Sequence, residues 1–169
     1  DLPDAPLYDR LHKIQVALRG HDRDAAAAEL ESLRAEHTDH RLTLQARRHL
    51  ALYDCDGPAN LEALEALRAK FPDDVNLKLF QLSTLRELGR RDDRLALYRE
   101  ACAAPKADPI LHRQYAEELL ADAREQGEAE RLALLAHRAR PTDAPTLALM
   151  ARLAWNAGRR EEALELYRA

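Results

Sequence analysis

Seven histidines, two cysteines and thirty acidic residues are the groups in this 169-residue chain with most capacity for chemistry. A protein metal site needs three or four ligands at recurring spacings, and the histidines do not supply them. His37 and His40 stand three apart across an expected turn, with Asp39 between them, while His12, His49, His112 and His137 each fall alone on separate expected helices. There is no HExxH, no CxxC and no Cys–His pair at ligand spacing, so no metal is expected. The adjacent carboxylates Asp92–Asp93, Glu117–Glu118 and Glu161–Glu162 would point about 100° apart on a helix and cannot converge on one reacting atom. Asp92–Asp93 and Glu161–Glu162 suit first helical turns instead, where negative charge complements the helix dipole. Ser32 and Ser83, the two serines, lie mid-helix without a local base. GxGxxG, GxxxxGK[ST] and GxSxG are all absent, and each of the five glycines is already assigned to a turn. No catalytic residue and no cofactor are expected, and the chain reads as a non-enzyme.

The elements that carry these residues are legible in the composition. Apolar residues make up 46% and charged residues 33%, and the net charge is −4. The apolar share is mostly Ala and Leu, the charged share mostly Arg and Glu, and glycine, aromatic and β-branched residues are scarce. Such a mixture favours helix over strand. No basic block points to nucleic acid, and no run of about 18 apolar residues predicts membrane insertion. Cys55 and Cys102 are 47 residues apart and nothing in their spacing pairs them. They read as small apolar fillers or partly exposed thiols, with a disulfide or a reactive site as the other reading. The chain begins at Asp1 rather than Met, so a trimmed piece is expected, from which a targeting segment could have been removed. The compartment stays open, with the cytoplasm slightly favoured.

Glycines punctuate the chain at 20, 57, 89, 127 and 158, at intervals of 37, 32, 38 and 31 that average about 34.5. Each follows and precedes a stretch of helical apolar spacing, and so reads as a helix C-cap or a tight hairpin turn. Prolines at 72, 105, 109, 141 and 145 mark the alternate connections. The pattern predicts helices over 6–19, 22–37, 40–54, 58–70, 74–88, 91–103, 109–126, 128–139, 144–157 and 160–168. Text is also repeated. GRRDDRLALYR at 89–99 returns as GRREEALELYR at 158–168, and RLALLAHRA at 131–139 matches RLALYREA at 94–101 apart from one inserted residue. Two helices per unit of about 34 residues is a solenoid signature.

On these residues the chain resembles the tetratricopeptide repeat family, strongly over 75–169 and loosely before. In the unit that starts at Ala144, Ala151 and Ala163 occupy the family's small positions, Gly158 its interhelical turn and Tyr167 its aromatic position. Pro141 closes the preceding unit, and Phe71, Pro72 and Asp73 give the same ending earlier. The family's early tryptophan is Leu147 here. The resemblance implies an all-α, right-handed α-solenoid of about five antiparallel helix–turn–helix repeats. It is expected to form a single repeat domain over 1–169, with the least regular units at the front.

The family's function, implied by the same resemblance, is that of a scaffold binding a peptide or protein partner on the concave face. Counted from the turns as in that family, the groove residues are Arg47 in the second unit and Asn76, Ser83, Arg86 and Glu87 in the third. Arg113 and Glu117 follow in the fourth, and Arg152, Trp155 and Asn156 in the fifth. Arginine can hold a peptide carboxylate bidentately and tryptophan can anchor an interface. The same arginines also suit a solvated helix face, and Trp155 suits packing between repeats better than service as a free anchor. The Lys/Asn arrangement of members that bind chaperone tails is not reproduced, so such tails are not the expected ligand. The second reading is a regulatory or substrate-presenting segment of a larger enzyme, such as a peptidase or transferase. Leu164, Leu166 and Tyr167 offer no polar cap, which predicts a fragment of a longer protein and end-to-end self-association through the last repeat.

Overall fold

A computed structural model describes residues 4–120 and 125–168, and the regular structure among them is α-helical throughout. The helices are α1 (Ala5–Arg19), α2 (Arg23–His37), α3 (Arg41–Tyr53), α4 (Gly57–Lys70) and α5 (Val75–Glu87). They continue as α6 (Arg91–Ala103), α7 (Pro109–Leu119), α8 (Gln126–Ala139), α9 (Ala144–Asn156) and α10 (Arg160–Arg168). The expected helices coincide with these to within one or two residues except at one place. The stretch expected to run on to 126 ends at Leu119, residues 121–124 lie outside the described residues, and α8 opens at Gln126.

Short polar side chains start these helices. The carboxylates of Asp22, Asp56, Asp74, Asp108 and Asp143 accept from the backbone N–H of Ala25, Ala59, Asn76, Ile110 and Thr146 at 2.9–3.1 Å. His40 does the same through Nδ1 for Leu42 at 3.2 Å. Each satisfies a donor that a bare helix end would leave open, a contribution of about 1 kcal/mol. Asp92–Asp93 and Glu161–Glu162 do sit in the first turns of α6 and α10.

The hairpin turns set the repeat length. His21, Cys55, Gly89 and Gly158 have φ values of 60°, 54°, 68° and 78°, the left-handed conformation. In each case the next residue's N–H reaches back over a full turn: Asp22 to Ala17 O, Asp56 to Ala51 O, Arg90 to Leu85 O and Arg159 to Ala154 O, at 2.8–2.9 Å. These bonds consume carbonyls at the helix C-termini. The left-handed residues are separated by 34, 34 and 69 positions, so the period is regular from the front of the chain. This corrects the irregular glycine intervals. Gly20 is the residue before the left-handed turn, Gly57 is the first residue of α4, and Gly127 the second of α8. Gly57 serves a close approach instead, since a Cβ there would stand 2.8 Å from Leu88 Cδ2.

An L-residue in the left-handed region is strained relative to glycine. Cys55 is exposed and free, so nothing is lost with its side chain. Cys55→Gly is expected to stabilise the chain by about 1 kcal/mol, read from the urea midpoint at unchanged slope. No shift, or a loss, would contradict the assigned conformation.

The helices cluster into two compact units, residues 1–91 and 92–169. In the first, α1 and α2 pair, α3 packs on both and pairs with α4, and α4 packs on α5. Its core joins Leu7, Leu11, Ile14 and Leu18 of α1 to Leu30 and Leu33 of α2 and Leu42 of α3. Leu44, Leu64, Leu67 and Leu77 form a further cluster. In the second unit α7 pairs with α8, α8 packs on α9, and α9 pairs with α10.

The second helices α2, α4, α6 and α8 bury the same three positions, at i, i+4 and i+7. They are Ala26, Leu30 and Leu33 in α2; Asn60, Leu64 and Leu67 in α4; Arg94, Tyr98 and Ala101 in α6; and Ala129, Ala133 and Ala136 in α8. The matched text at 131–139 is therefore out of structural register. It would set Leu97 against Leu134, but Leu97 is buried and Leu134 is exposed. Where α2 and α8 place a buried alanine first, α4 and α6 place Asn60 and Arg94, and each meets a polar partner 24 residues on. Asn60 Nδ2 donates to Thr84 Oγ1 at 2.8 Å, and Arg94 Nη2 donates to a Glu118 carboxylate oxygen. The equivalent pair in the next unit is Ala129 and Leu153, both buried.

Candidate functional site

The helix starts at His40, Asp74, Asp108 and Asp143 put the first helices in common register. Nine residues on lie His49, Ser83, Glu117 and Arg152; twelve on lie Leu52, Arg86, Leu120 and Trp155. Thirteen on come Tyr53, Glu87 and Asn156. Positions nine, twelve and thirteen share one helix face.

In the second unit this face opens into a cleft of about 500 Å³, lined by Glu117 and Leu120, by Arg152, Trp155 and Asn156, and by Tyr167 of α10. Four of the residues singled out in the sequence thus meet in one place. Trp155 is 53% exposed and Tyr167 59%. The expectation that Trp155 packs between repeats is corrected. On α9 the packing positions go to Leu149, Ala151, Leu153 and Ala154, all buried, and the twelfth position is left facing out. The Arg160 guanidinium lies 5.7 Å from the indole centroid.

Charges in the cleft and beside it are unevenly satisfied. Arg113 Nη1 donates to Glu117 at 2.6 Å, and its Nε stands 3.9 Å from Asp143. Asp143 is held below the usual carboxylate range, first by the Thr146 hydroxyl donating to it at 2.5 Å, then by the Thr146 N–H and the nearby arginines. Arg152 and Asn156 make no hydrogen bond or ion pair among the described residues. A second cleft of about 440 Å³ lies over α8, α9 and the start of α10, with Leu134, Met150 and Leu153 in its lining. Its rim is self-neutralised: Arg159 pairs with Glu130 at 2.9 Å and Glu162 at 3.4 Å.

In the first unit the same face is more closely engaged. Ser83 donates to Glu87 at 3.4 Å, Arg86 is exposed on α5, and Asn76 is exposed at its start. His49 Nδ1 lies 3.3 Å from Gln15 Nε2. Burial, then the charge of Arg48, push the His49 pKa down.

Chemistry of other kinds finds little to build on. Among the described residues no three His, Cys, Asp or Glu side chains gather as a metal would require. Burial pushes the Cys102 thiol up to about 11, which keeps it protonated and poorly nucleophilic near neutrality. No described helix is long and apolar enough to cross a membrane.

No family model matches the sequence, nor does any curated protein. Solved structures do match. MamA from Desulfovibrio magneticus RS-1, residues 41 to the end, superposes with a TM-score of 0.70 at 12% identity, over 97% of this chain and 92% of that one. YrrB, described as a TPR protein with an unusual peptide-binding site, gives 0.65 at 13% identity, over 93% and 80%. PilW, a type IV pilus biogenesis factor, gives 0.61 at 18% identity, over 97% and 77%. The chain has the tetratricopeptide repeat fold. At these identities the likeness carries the α-solenoid architecture and nothing about ligands.

The tetratricopeptide register also shows what counting from glycines missed. Arg47 lies seven residues after its cap, outside the shared face, and donates to Glu62 of its own hairpin at 3.0 Å. The turn residue of that unit is Cys55, not Gly57. Counting from Cys55 gives His49, Leu52 and Tyr53. Leu120 and Tyr167 were missed as cleft residues; the first follows from the twelve-residue count, and the second needs α10 folded back on α9.

Proposed function

We infer that this tetratricopeptide chain works as a protein-interaction scaffold rather than by catalysis, holding a peptide or an exposed segment of a partner protein on its first-helix face. The observation that carries this reading is the cleft on α7, α9 and α10. It presents two aromatic side chains, each more than half exposed, beside an arginine and an asparagine with no partner among the described residues. Exposed aromatic surface next to unengaged donors is the composition of an interface hot spot. The second cleft, with its rim charges already paired, is the poorer candidate. YrrB, a TPR protein described as having an unusual peptide-binding site, supports the reading.

Selection of a random peptide library on the folded chain tests the reading. Trp155→Ala is expected to weaken the selected peptides about 30-fold, the effect of removing a hot-spot anchor, while Arg138→Ala on α8 leaves them unchanged. Peptides that bind Trp155→Ala as well as the parent chain would place the ligand elsewhere.

A further inference from the structure

Among the described residues, one cation lining the cleft is left over. Glu117 is neutralised by Arg113, but Arg152, facing the same space, has no partner among the described residues, and neither does the Asn156 amide one turn further along α9. Trp155 lies between them in sequence, and Tyr167 faces the cleft from α10. An unpaired guanidinium beside exposed aromatic surface is complementary to a carboxylate that neighbours an apolar side chain. Building on the scaffold reading, we propose that the cleft recognises an internal peptide segment in which Asp or Glu stands next to an aromatic or large aliphatic residue. The carboxylate pairs with Arg152, the Asn156 amide donates to the same group or to the ligand backbone, and the apolar side chain lies against Trp155 and Tyr167.

The acid belongs to a side chain, not to a chain terminus. Terminal carboxylates are captured where backbone N–H groups converge. This cleft is lined by the last turns of α7 and α9, whose carbonyl ends carry partial negative charge. The N–H groups that follow α9 are already spent on Leu153, Ala154 and Trp155 carbonyls. A terminal carboxylate, fixed to its own backbone, would have to approach that negative end. The Cα–Cβ bond of Arg152, as on any helix, tilts toward the N-terminus and so away from that end, which suits a carboxylate carried on a side chain.

The test titrates the full chain with the end-blocked octapeptide Gly-Ser-Gly-Glu-Phe-Gly-Ser-Gly. Two signals are read: anisotropy of a labelled copy, and fluorescence of Trp155, the single tryptophan of the chain. Saturable binding with a change in Trp155 emission is expected. Replacing the peptide's Glu by Gln should weaken it about tenfold, the worth of a charge-assisted hydrogen bond. Arg152→Glu should abolish the preference for Glu over Gln, and Arg138→Glu should leave it intact. Equal binding of the two peptides, with Trp155 still responding, overturns the acid preference while leaving the cleft in use. Tighter binding by a Glu-free peptide with an unblocked C-terminus overturns the choice of a side-chain acid. If neither octapeptide perturbs Trp155 the proposal fails, and the library selection decides separately whether the scaffold reading survives.

Discussion

Tyr98→Ala is expected to lower the unfolding free energy by about 4 kcal/mol, the largest loss from a single side chain in this fold. Tyr98 is 0% exposed, and its ring stacks on Tyr115 with centroids 5.3 Å apart and planes 6° from parallel. Its position on α6 is the one filled by Leu30 on α2 and Leu64 on α4, both buried. Removing a buried ring costs its transfer free energy and adds a cavity, because helices pinned by neighbouring packing collapse only in part. Tyr98→Phe separates the ring from the hydroxyl, which reaches Gln114 Oε1 at 3.5 Å, and should cost about 1 kcal/mol or less. Urea unfolding followed by circular dichroism reads both. A loss below about 1 kcal/mol for Tyr98→Ala would contradict the packing described.

The second large effect concerns Arg94, the charged residue at a position where α2 and α8 place alanine. Arg94 and Glu118 retain only 10% and 13% of their side-chain exposure. Breaking such a pair from one side takes the Arg94 guanidinium from a carboxylate in a poorly solvated place, so Arg94→Ala is expected to cost about 3 kcal/mol. The chain itself supplies a replacement. At the equivalent pair of positions in the next unit it uses Ala129 and Leu153. Arg94→Ala combined with Glu118→Leu is therefore expected to return to within about 1 kcal/mol of the parent. An additive double loss would show that the two residues do not act as a pair.

Helix placement was legible because Ala, Leu, Arg and Glu at helical spacing, interrupted by glycines and prolines, leave few alternatives. The turn residues were hidden because His21 and Cys55 adopt the left-handed conformation that glycine marks at Gly89 and Gly158. The C-terminal capping bonds require that backbone conformation and not the glycine itself. Matching RLAL letters misled for a related reason, since burial follows the i, i+4, i+7 face rather than the order of residue names. With Cys55 rather than a glycine at that turn, the groove residue of α3 is His49 and not Arg47. Trp155 could be assigned to the shared face by counting, but its exposure depends on Ala151 and Ala154 taking the packing positions. Tyr167 joins the cleft only through tertiary folding of α10 on α9.

A protein ligand is expected on the first-helix face of the second unit. Amide and indole chemical-shift mapping tests it most directly, using the uniformly labelled chain and a library-selected peptide. The largest shifts are expected on Glu117, Leu120, Arg152, the Trp155 indole N–H and Asn156, with α8 little changed. Shifts centred on Leu134, Met150 and Arg159 would contradict it and move the binding site to the opposite cleft.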